Sequence, residues 1–486
     1  MFIGGALACL PAGCRPGSTE GPADTPQDAP PTPPAVGGSL AELRASSDDL
    51  ATRSLARGAA LDEDLRAVIE WVPQPAAPQD GPLRGIPFLA KDNIDTAMLD
   101  TTAGSLALRD VRPSRDAEVV QRLTNAGAVL VGKANMSEWA NFRSTRSQSG
   151  WSARGGQCVS PWGVARCPCG SSSGSAVAVA AGYVPFALGT ETDGSILCPA
   201  SQNGIVGIKP TAGLVSNVGV IPLSARQDVV GPMALTVEMA AAALEVLADG
   251  QPRYPLDAAS LGGAKLGIAR GISSSAFHPG STRLFEQAVA DMRSAGSEIV
   301  ERDLSWARAP DSGAAEMTAL LYEFHRDIGI YLTARGGEQQ TLADLIAFNH
   351  AHAEQELAAF GQELFERAEQ TASIEDAAYK DALARCESVG PNLDRALEGL
   401  DALIAPTTGP SWVLDPAYGD HFGGGSSTAP AAIAGLPTVT VPMGRVDGLP
   451  VGVSFIGRRN DERRILKLAY AYEQATGHGR LAELGG

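Results

Sequence analysis

Two segments rich in glycine and serine contain the residues best suited to chemistry. Residues 169–182 read CGSSSGSAVAVAAG, and residues 189–200 read GTETDGSILCPA. The first begins as a Gly/Ser loop that can approach a ligand closely, and it continues as small apolar residues that can pack tightly as a helix. A phosphate-binding loop would end in G-K-[ST], and no Lys follows here. A solvent-exposed linker would not continue into an apolar helix, so the pattern favours a catalytic loop.

A serine nucleophile in such a loop needs a neighbouring base, and the usual base is histidine. The six histidines all lie far downstream, in stretches with the pattern of surface helices or loops: His278, His325, His350, His352, His421 and His478. None of them is embedded in a motif. We therefore expect a base other than histidine.

Lys91 is the better candidate for this base. The segment GIPFLAKDN places it at the end of an apolar run, where a strand is expected to give way to a loop. In water a lysine has a pKa of about 10.4 and is protonated at neutral pH. Burial penalises the charged form and lowers the pKa, which makes the amine a usable base. A lysine at a strand end is otherwise a surface residue, so this assignment depends on the neighbouring serines.

The elements that position these residues follow an α/β pattern. Short apolar runs ending in polar turns alternate with helical stretches in residues 83–135, 260–300 and 401–475. Residues 40–72 have apolar side chains at spacings of three and four, which predicts helices. Residues 311–399 are helical in pattern and predict a helical insertion that covers one side of the sheet.

The N-terminal region differs from the remainder in composition. Residues 1–14 are apolar and small, and residues 15–38 are a Pro, Ala, Gly and Ser run without periodicity. We expect an export segment and a disordered tether, hence a periplasmic or cell-envelope protein, or a cytoplasmic one if the first segment is not a signal. LPAGC resembles a lipoprotein processing site that would lipidate Cys14, although Pro11 and the lack of a preceding Lys or Arg depart from that pattern. No later apolar run is long enough to span a membrane.

Composition and charge narrow the class of protein. The 486 residues, 44% of them hydrophobic, suffice for a large folded core. The net charge of −17 repels phosphate backbones and disfavours a nucleic-acid partner.

The seven cysteines are too few and too scattered for a disulfide framework. We expect Cys169 and Cys198 to be small buried hydrophobic residues, and a pairing of Cys158 with Cys167 stays open. The C-x-C at Cys167 and Cys169 has no histidine nearby to complete a zinc site, so we expect neither a metal nor another cofactor.

From about residue 40 to the C-terminus, the sequence resembles the amidase-signature family. The matching segments are long and occur in order: GIPFLAKDNIDTAMLDTTAGSLAL, GKANMSEWAN, the Gly/Ser loop, GTETDGSI, GIVGIKPTAGLVS, DVVGPMA, AGLPTVTVPMG and GLPVGVSFIG. The resemblance implies a single large α/β domain over residues 40–486, with a mixed β-sheet covered on both faces by helices. It also implies an amidase that converts a carboxamide to a carboxylate and ammonia through an acyl-enzyme.

The same resemblance implies a Ser-Ser-Lys triad of Lys91, Ser171 and Ser195. Ser195 lies 24 residues after Ser171, which is the family interval, so Ser172 and Ser173 are not the bridging serine. In the implied mechanism, neutral Lys91 takes a proton from Ser171. Ser171 in turn takes one from Ser195 as Ser195 attacks the amide carbonyl.

Two backbone features are also implied by the family. One is an oxyanion hole, in which each donor is worth about 10²–10³ in rate. It would be formed by the N–H groups of four consecutive residues: Thr192, Asp193, Gly194 and Ser195. The other is a cis peptide bond between Gly170 and Ser171.

Within the family, CPCGSSSGS, ETDGSILCPA and GWSARGGQ are most similar to bacterial peptide amidases, which hydrolyse the C-terminal carboxamide of peptides. Many members have Arg two residues after the nucleophile, where this chain has Leu197, so small malonamate-like anions are poor candidates. Met136, Trp139 and Trp151 are candidates either to line an acyl pocket or to pack in the core.

Three other functions remain as alternatives. One is the amide-transferring subunit of a tRNA-dependent amidotransferase, against which the acidic charge and the export-like N-terminus argue. Another is an amidase for small aliphatic or aromatic amides. The last is a non-catalytic binding relative, against which the intact triad argues. The oligomeric state is not determined by the sequence.

Overall fold

The structure is a computed structural model that describes residues 32–482, apart from residues 164, 274, 309 and 480. The predicted export segment, with Cys14, and most of the predicted tether lie outside the described residues and stay predictions. Among the helices that are described, none has the length and apolar character needed to cross a membrane.

The described strands form one large mixed sheet and one short hairpin. In chain order they are β1 (Val68–Trp71), β2 (Pro87–Lys91), β3 (Val129–Ala134), β4 (Trp151–Ser152), β5 (Gly156–Gln157), β6 (Phe186–Glu191), β7 (Val206–Lys209), β8 (Val229–Ala234), β9 (Lys265–Arg270), β10 (Glu298–Asp303), β11 (Ala402–Pro406), β12 (Thr438–Val446) and β13 (Leu449–Ile456). The strands β4 and β5 form the hairpin, and the other eleven described strands form the sheet.

The α-helices within the described ranges surround this sheet. In chain order they are α1 (Leu40–Ala45), α2 (Leu50–Leu65), α3 (Glu118–Asn125), α4 (Ser173–Ala180), α5 (Leu197–Asn203), α6 (Val237–Leu247), α7 (Pro279–Ser294), α8 (Pro310–Arg335), α9 (Leu342–Ala351), α10 (Ala353–Glu356), α11 (Glu363–Glu369), α12 (Ala377–Glu387), α13 (Val389–Ala396), α14 (Thr428–Ile433) and α15 (Glu462–Thr476).

The sheet has parallel strands at both ends and antiparallel strands in its centre. The strand order is β1-β3-β2-β6-β8-β7-β12-β13-β11-β9-β10. The strands β3, β2 and β6 run parallel to one another, as do β11, β9 and β10, and the pairs between these groups are antiparallel. Because β2 and β6 are parallel neighbours, their carboxyl ends share one edge of the sheet. Lys91 and the segment that follows Glu191 meet at that edge.

Helices pack on both faces of the sheet, which confirms the predicted architecture. Successive residues of a strand point to opposite faces. Accordingly, Phe88 and Ala90 of β2 belong to a cluster with α3, α6, α7 and α15, whereas Leu89 belongs to a cluster with α2 and α4. The small residues of α4 are all buried, so this helix lies close against the strands.

The helices α8 to α13 occupy the range in which the sequence predicts a helical insertion. The helices α12 and α13 share a buried cluster with side chains of β9 and β11, on a face of the sheet. The helices α8, α9 and α11 instead share a cluster with residues of the loops, among them Met136 and Leu223. The insertion therefore covers loops as well as one face.

The prediction of helices throughout residues 40–72 is wrong at its end. The helix α2 stops at Arg66, which adopts a left-handed conformation with φ of 49°. The next residues form β1, which pairs antiparallel with β3 at the edge of the sheet. The edge pairing overrides the helical spacing because the period of that spacing carries no information on distant partners.

We predict that Gly174→Ala in α4 destabilises the fold. A Cβ at Gly174 would overlap the carbonyl oxygen of Ala67 and the backbone nitrogen of Asn135, and neither can move without disturbing its strand or loop. The expected loss in free energy of unfolding, measured by urea denaturation, is about 2–3 kcal/mol.

Gly329→Ala in α8 is the matched control. No atom lies within 4 Å of a Cβ at that position, so alanine should stabilise the helix by about 0.5–1 kcal/mol. Equal effects of the two substitutions would contradict the close packing of α4.

Candidate active site

Lys91, Ser171 and Ser195 lie together at the carboxyl edge of β2 and β6. Lys91 is the last residue of β2, Ser171 lies just before α4, and Ser195 lies between β6 and α5. The Nζ atom of Lys91 is 2.7 Å from the Oγ atom of Ser171. Lys91 and Ser171 are fully buried, whereas Ser195 is 8% exposed. Ser195 is therefore the member of the three that a substrate can reach.

Thr190 completes the surroundings of the Lys91 amine. Nζ donates to the Thr190 hydroxyl at 2.8 Å and to the Thr190 carbonyl at 3.2 Å. A neutral amine has two N–H groups and one lone pair, so these contacts use both donors and leave the lone pair for the Ser171 hydroxyl. The side-chain amide of Asn93 donates to the same Thr190 hydroxyl at 3.0 Å and holds it in place. The arrangement suits proton transfer from Ser171 to Lys91.

Burial decides the charge state of Lys91. Desolvation lowers the pKa of this amine to about 7, and the carboxyl groups of Asp228 and Glu191 oppose that shift. Burial also raises the pKa of Asp228, to about 6, because the carboxylate is enclosed as well. A large fraction of the lysine is therefore neutral near pH 7 and able to accept a proton.

The two serines are connected through the backbone. The N–H of Ser172 donates to the carbonyl of Ser195 at 3.1 Å. The peptide bond between Gly170 and Ser171 is cis, as the family resemblance implies. Within the described residues, no hydrogen bond joins the hydroxyls of Ser171 and Ser195. Such contacts between catalytic groups often tighten only when substrate is bound.

The loop of residues 192–195, where the oxyanion hole is expected, is anchored by buried carboxyl groups. Oε2 of Glu191 accepts the N–H groups of Ile196 and Leu197 at 2.8 and 2.9 Å. Oδ1 of Asp228 accepts the hydroxyl of Thr192 at 2.6 Å. These contacts hold the loop from both ends.

The backbone donors of this loop are largely unused by the protein. In the described part of the chain, no protein acceptor takes the N–H groups of Thr192, Asp193 or Ser195. The N–H of Gly194 instead points to the carboxyl group of Glu191. The loop can therefore offer three donors, rather than the expected four, to an oxygen placed beside Ser195.

A cavity of about 800 Å³ opens beside Ser195. Apolar side chains make up much of its wall, among them Ile272, Trp306 and Phe422, and the carboxyl groups of Asp193 and Glu316 also line it. Its size and mixed lining are typical of a small-molecule or peptide site. None of the six histidines is among the described lining residues, and Leu197 is fully buried beneath the loop.

The three aromatic and sulfur residues considered for an acyl pocket do not line this cavity. Met136 and Trp139 are buried in the core, where Trp139 packs edge-on against Phe365 at 5.4 Å. Trp151 packs against Phe360 at 5.1 Å. The pocket role is therefore wrong for all three, because the helical insertion covers the surface that they form.

Cys169 and Cys198 form a disulfide, so the expectation that they are separate buried side chains is wrong. Their Cα atoms are 6.1 Å apart because the loop before Ser171 lies against the start of α5. Cys158 and Cys167 are buried free thiols, which answers the question of their pairing.

Sequence reasoning did not identify Thr190, Glu191 or Asp228 as parts of the site. The first two lie within GTETDGSI and the third within DVVGPMA, so the motifs were noticed but the roles were not. A role such as accepting a buried amine depends on which strand lies beside β2, and local sequence does not encode that neighbour.

Comparison with known proteins places this geometry among amidases. A sequence profile of the amidase family matches residues 57–466. A probable amidase of Arabidopsis thaliana is 40% identical over 420 residues, 81% of this chain and 77% of the relative. The structure of a peptide amidase from Stenotrophomonas maltophilia is 44% identical with a TM-score of 0.85, over 92% of this chain and 99% of that one.

Another similar protein is the amidase-like subunit of a glutamyl-tRNA(Gln) amidotransferase from Symbiobacterium thermophilum. It is 36% identical over 424 residues, which cover 82% of this chain and 84% of that relative.

We predict that the Cys169–Cys198 disulfide stabilises the fold, since it closes a loop with a sequence separation of 29. The double variant Cys169→Ser/Cys198→Ser should lose about 3–4 kcal/mol in free energy of unfolding, from the entropy that the unfolded chain regains. A dithiol reductant should destabilise the native protein in a urea titration and leave the double variant unchanged. A reductant effect of the same size on both proteins would contradict the assignment.

Proposed function

The chain belongs to the amidase-signature family, and from that premise we propose that it hydrolyses the C-terminal carboxamide of peptides. Hydrolysis of amide C–N bonds is the activity of its family and of its structural neighbours. The observation that carries the proposal is the 2.7 Å contact between the buried Lys91 amine and Ser171, beside a nucleophile that opens onto a large cavity. The 44% identity to a peptide amidase supports a peptide as the substrate.

In the proposed mechanism, Ser195 Oγ attacks the carboxamide carbon and its proton passes to Ser171. Ser171 gives its own hydroxyl proton to the Lys91 amine. The carbonyl oxygen then carries the negative charge and faces the free N–H groups of Thr192, Asp193 and Ser195. Return of the proton along the same path to the amide nitrogen breaks the C–N bond and releases ammonia.

Water completes the cycle on the resulting acyl-enzyme. Ser171 and Lys91 again accept a proton, now from the attacking water, and the ester bond to Ser195 breaks. Ser195 recovers its proton and the peptide leaves as a carboxylate. The lysine must therefore be neutral at the start of each half-reaction, which its burial allows.

Two observations favour a peptide over the alternative substrates. The cavity volume of about 800 Å³ exceeds what a small aliphatic amide would fill. The net charge of −17 disfavours contact with tRNA, which the amidotransferase function requires. Activity that needs added partner subunits and glutamine would favour that function instead.

We predict that the purified protein releases ammonia from C-terminally amidated peptides faster than from small aliphatic or aromatic amides. Ser195→Ala, which removes the nucleophile, should lower kcat by at least about 10³-fold, and Lys91→Met, which removes the base, by a similar factor. Ser175→Ala is the matched control, because Ser175 lies in α4 and its hydroxyl donates to the Leu188 carbonyl, away from the cavity. Full activity of the Ser195 variant would refute the mechanism, and full activity of the Lys91 variant alone would mean another base.

We predict that kcat/KM for a neutral peptide amide rises with pH through about 7 and levels off above it. The protonated amine cannot accept a proton, so activity is lost as pH falls through the pKa of Lys91, which burial lowers to about 7. Asp228→Asn should move the midpoint to lower pH, because the Asp228 charge favours protonated Lys91. A midpoint that moves upward, or not at all, would show that another group controls the profile.

A further inference from the structure

The cavity beside Ser195 has an uneven distribution of charge. Its ionisable lining residues, among those described, are Asp193, Glu316 and Arg385. Glu316 of α8 is 8% exposed and lies within the cavity wall, whereas Arg385 of α12 is an exposed side chain. The interior of the cavity is therefore acidic, and its one cation in the described lining is solvated.

Each carboxyl group is fixed by one oxygen and open at the other. Oε1 of Glu316 accepts the side-chain amide of Gln227 at 2.5 Å, and Oδ1 of Asp193 accepts the Thr428 hydroxyl at 2.8 Å. The second oxygen of each group has no protein donor among the described residues, and neither is among the enclosed polar atoms that lack a partner. Both second oxygens therefore face the cavity.

Within the described ranges, no protein cation pairs with these two carboxyl groups. Arg226, the cation that acts on Glu316, forms a salt bridge with Glu323 at 2.8 Å. Lys209, the cation that acts on Asp193, is itself buried and donates to the Pro210 carbonyl.

Burial raises the pKa of both carboxyl groups, and the charge of Asp193 raises that of Glu316 further. Glu191 acts on Asp193 in the same direction, and Glu323 acts so on Glu316. A cation in the cavity would relieve this repulsion.

We propose that Asp193 and Glu316 form a subsite for an ammonium or guanidinium group on the acyl part of the substrate. This inference rests on the proposed amidase function and specifies its substrate as a cationic peptide amide. A metal ion is a poorer occupant, since the described residues contain no group of side chains able to hold one. The cation has two sources, the α-amino group of a short peptide or a basic side chain.

The subsite also acts on the product. Hydrolysis turns a neutral carboxamide into a carboxylate next to Ser195, in a cavity that already holds two carboxyl groups. Repulsion between them favours release of the product. The same repulsion disfavours substrates with acidic side chains.

The test compares matched dipeptide amides that differ in charge. N-acetyl-glycyl-norleucinamide is the neutral reference, N-acetyl-glycyl-lysinamide adds a basic side chain, and glycyl-norleucinamide adds a free α-amino group. Each is measured for kcat/KM with the native protein and for Kd by calorimetry with Ser195→Ala. We expect at least one cationic peptide to exceed the neutral one by about tenfold in both measurements, and the better of the two identifies the source of the cation.

Glu316→Gln keeps the acceptor for Gln227 and removes the charge, so the cationic-to-neutral ratio should fall about tenfold toward one. Asp193→Asn should act in the same direction and serves if the Glu316 variant does not fold. Glu387→Gln, an exposed position at the end of α12 outside the described cavity lining, removes one negative charge and should leave the ratio unchanged.

A ratio near one in the native protein, or one that survives both charge removals, would overturn the subsite. A protein that binds the cationic peptide selectively in the Ser195→Ala form, while its native form hydrolyses no amide, would instead retain the subsite and refute the proposed function.

Discussion

The exclusion of water from the Lys91 amine is the constraint on which the rest of the site depends. A hydrated lysine stays protonated, and a protonated lysine has no lone pair for Ser171. The enclosure of Nζ by Ser171 and Thr190 makes the neutral form accessible near pH 7. The unfolded chain binds a proton that the native amine tends to give up, so this burial costs stability at neutral pH.

The surrounding protein offsets that cost and uses it. The large sheet and the tight packing of α4 enclose the amine, and the Cys169–Cys198 disulfide joins the two serine-bearing segments. Asp228 moderates the shift in the lysine pKa and also fixes Thr192 at the expected oxyanion hole. One buried carboxyl group therefore connects the strength of the base to the position of the oxyanion donors.

The helical insertion separates chemistry from recognition. Lys91, Ser171 and Ser195 are positioned by β2, β6 and α4, which belong to the sheet and its nearest helix. Much of the far wall of the cavity comes from the helices α8, α12 and α13 and from the loop before α14. Changes in these helices can alter the cavity without moving the reacting groups, because the hydrogen-bond partners of the Lys91 amine lie outside them.

From the sequence alone, the motifs determined the family, the α/β architecture and the candidates Lys91, Ser171 and Ser195, because these depend on local patterns and on fixed spacings. The edge strand β1, the Cys169–Cys198 pairing, the core packing of Met136, Trp139 and Trp151, and the acidic pair of Asp193 and Glu316 were decided only by the tertiary structure. The reason is physical: a strand partner, a disulfide partner or a cavity wall is set by residues far away in the chain, and local periodicity carries no record of them.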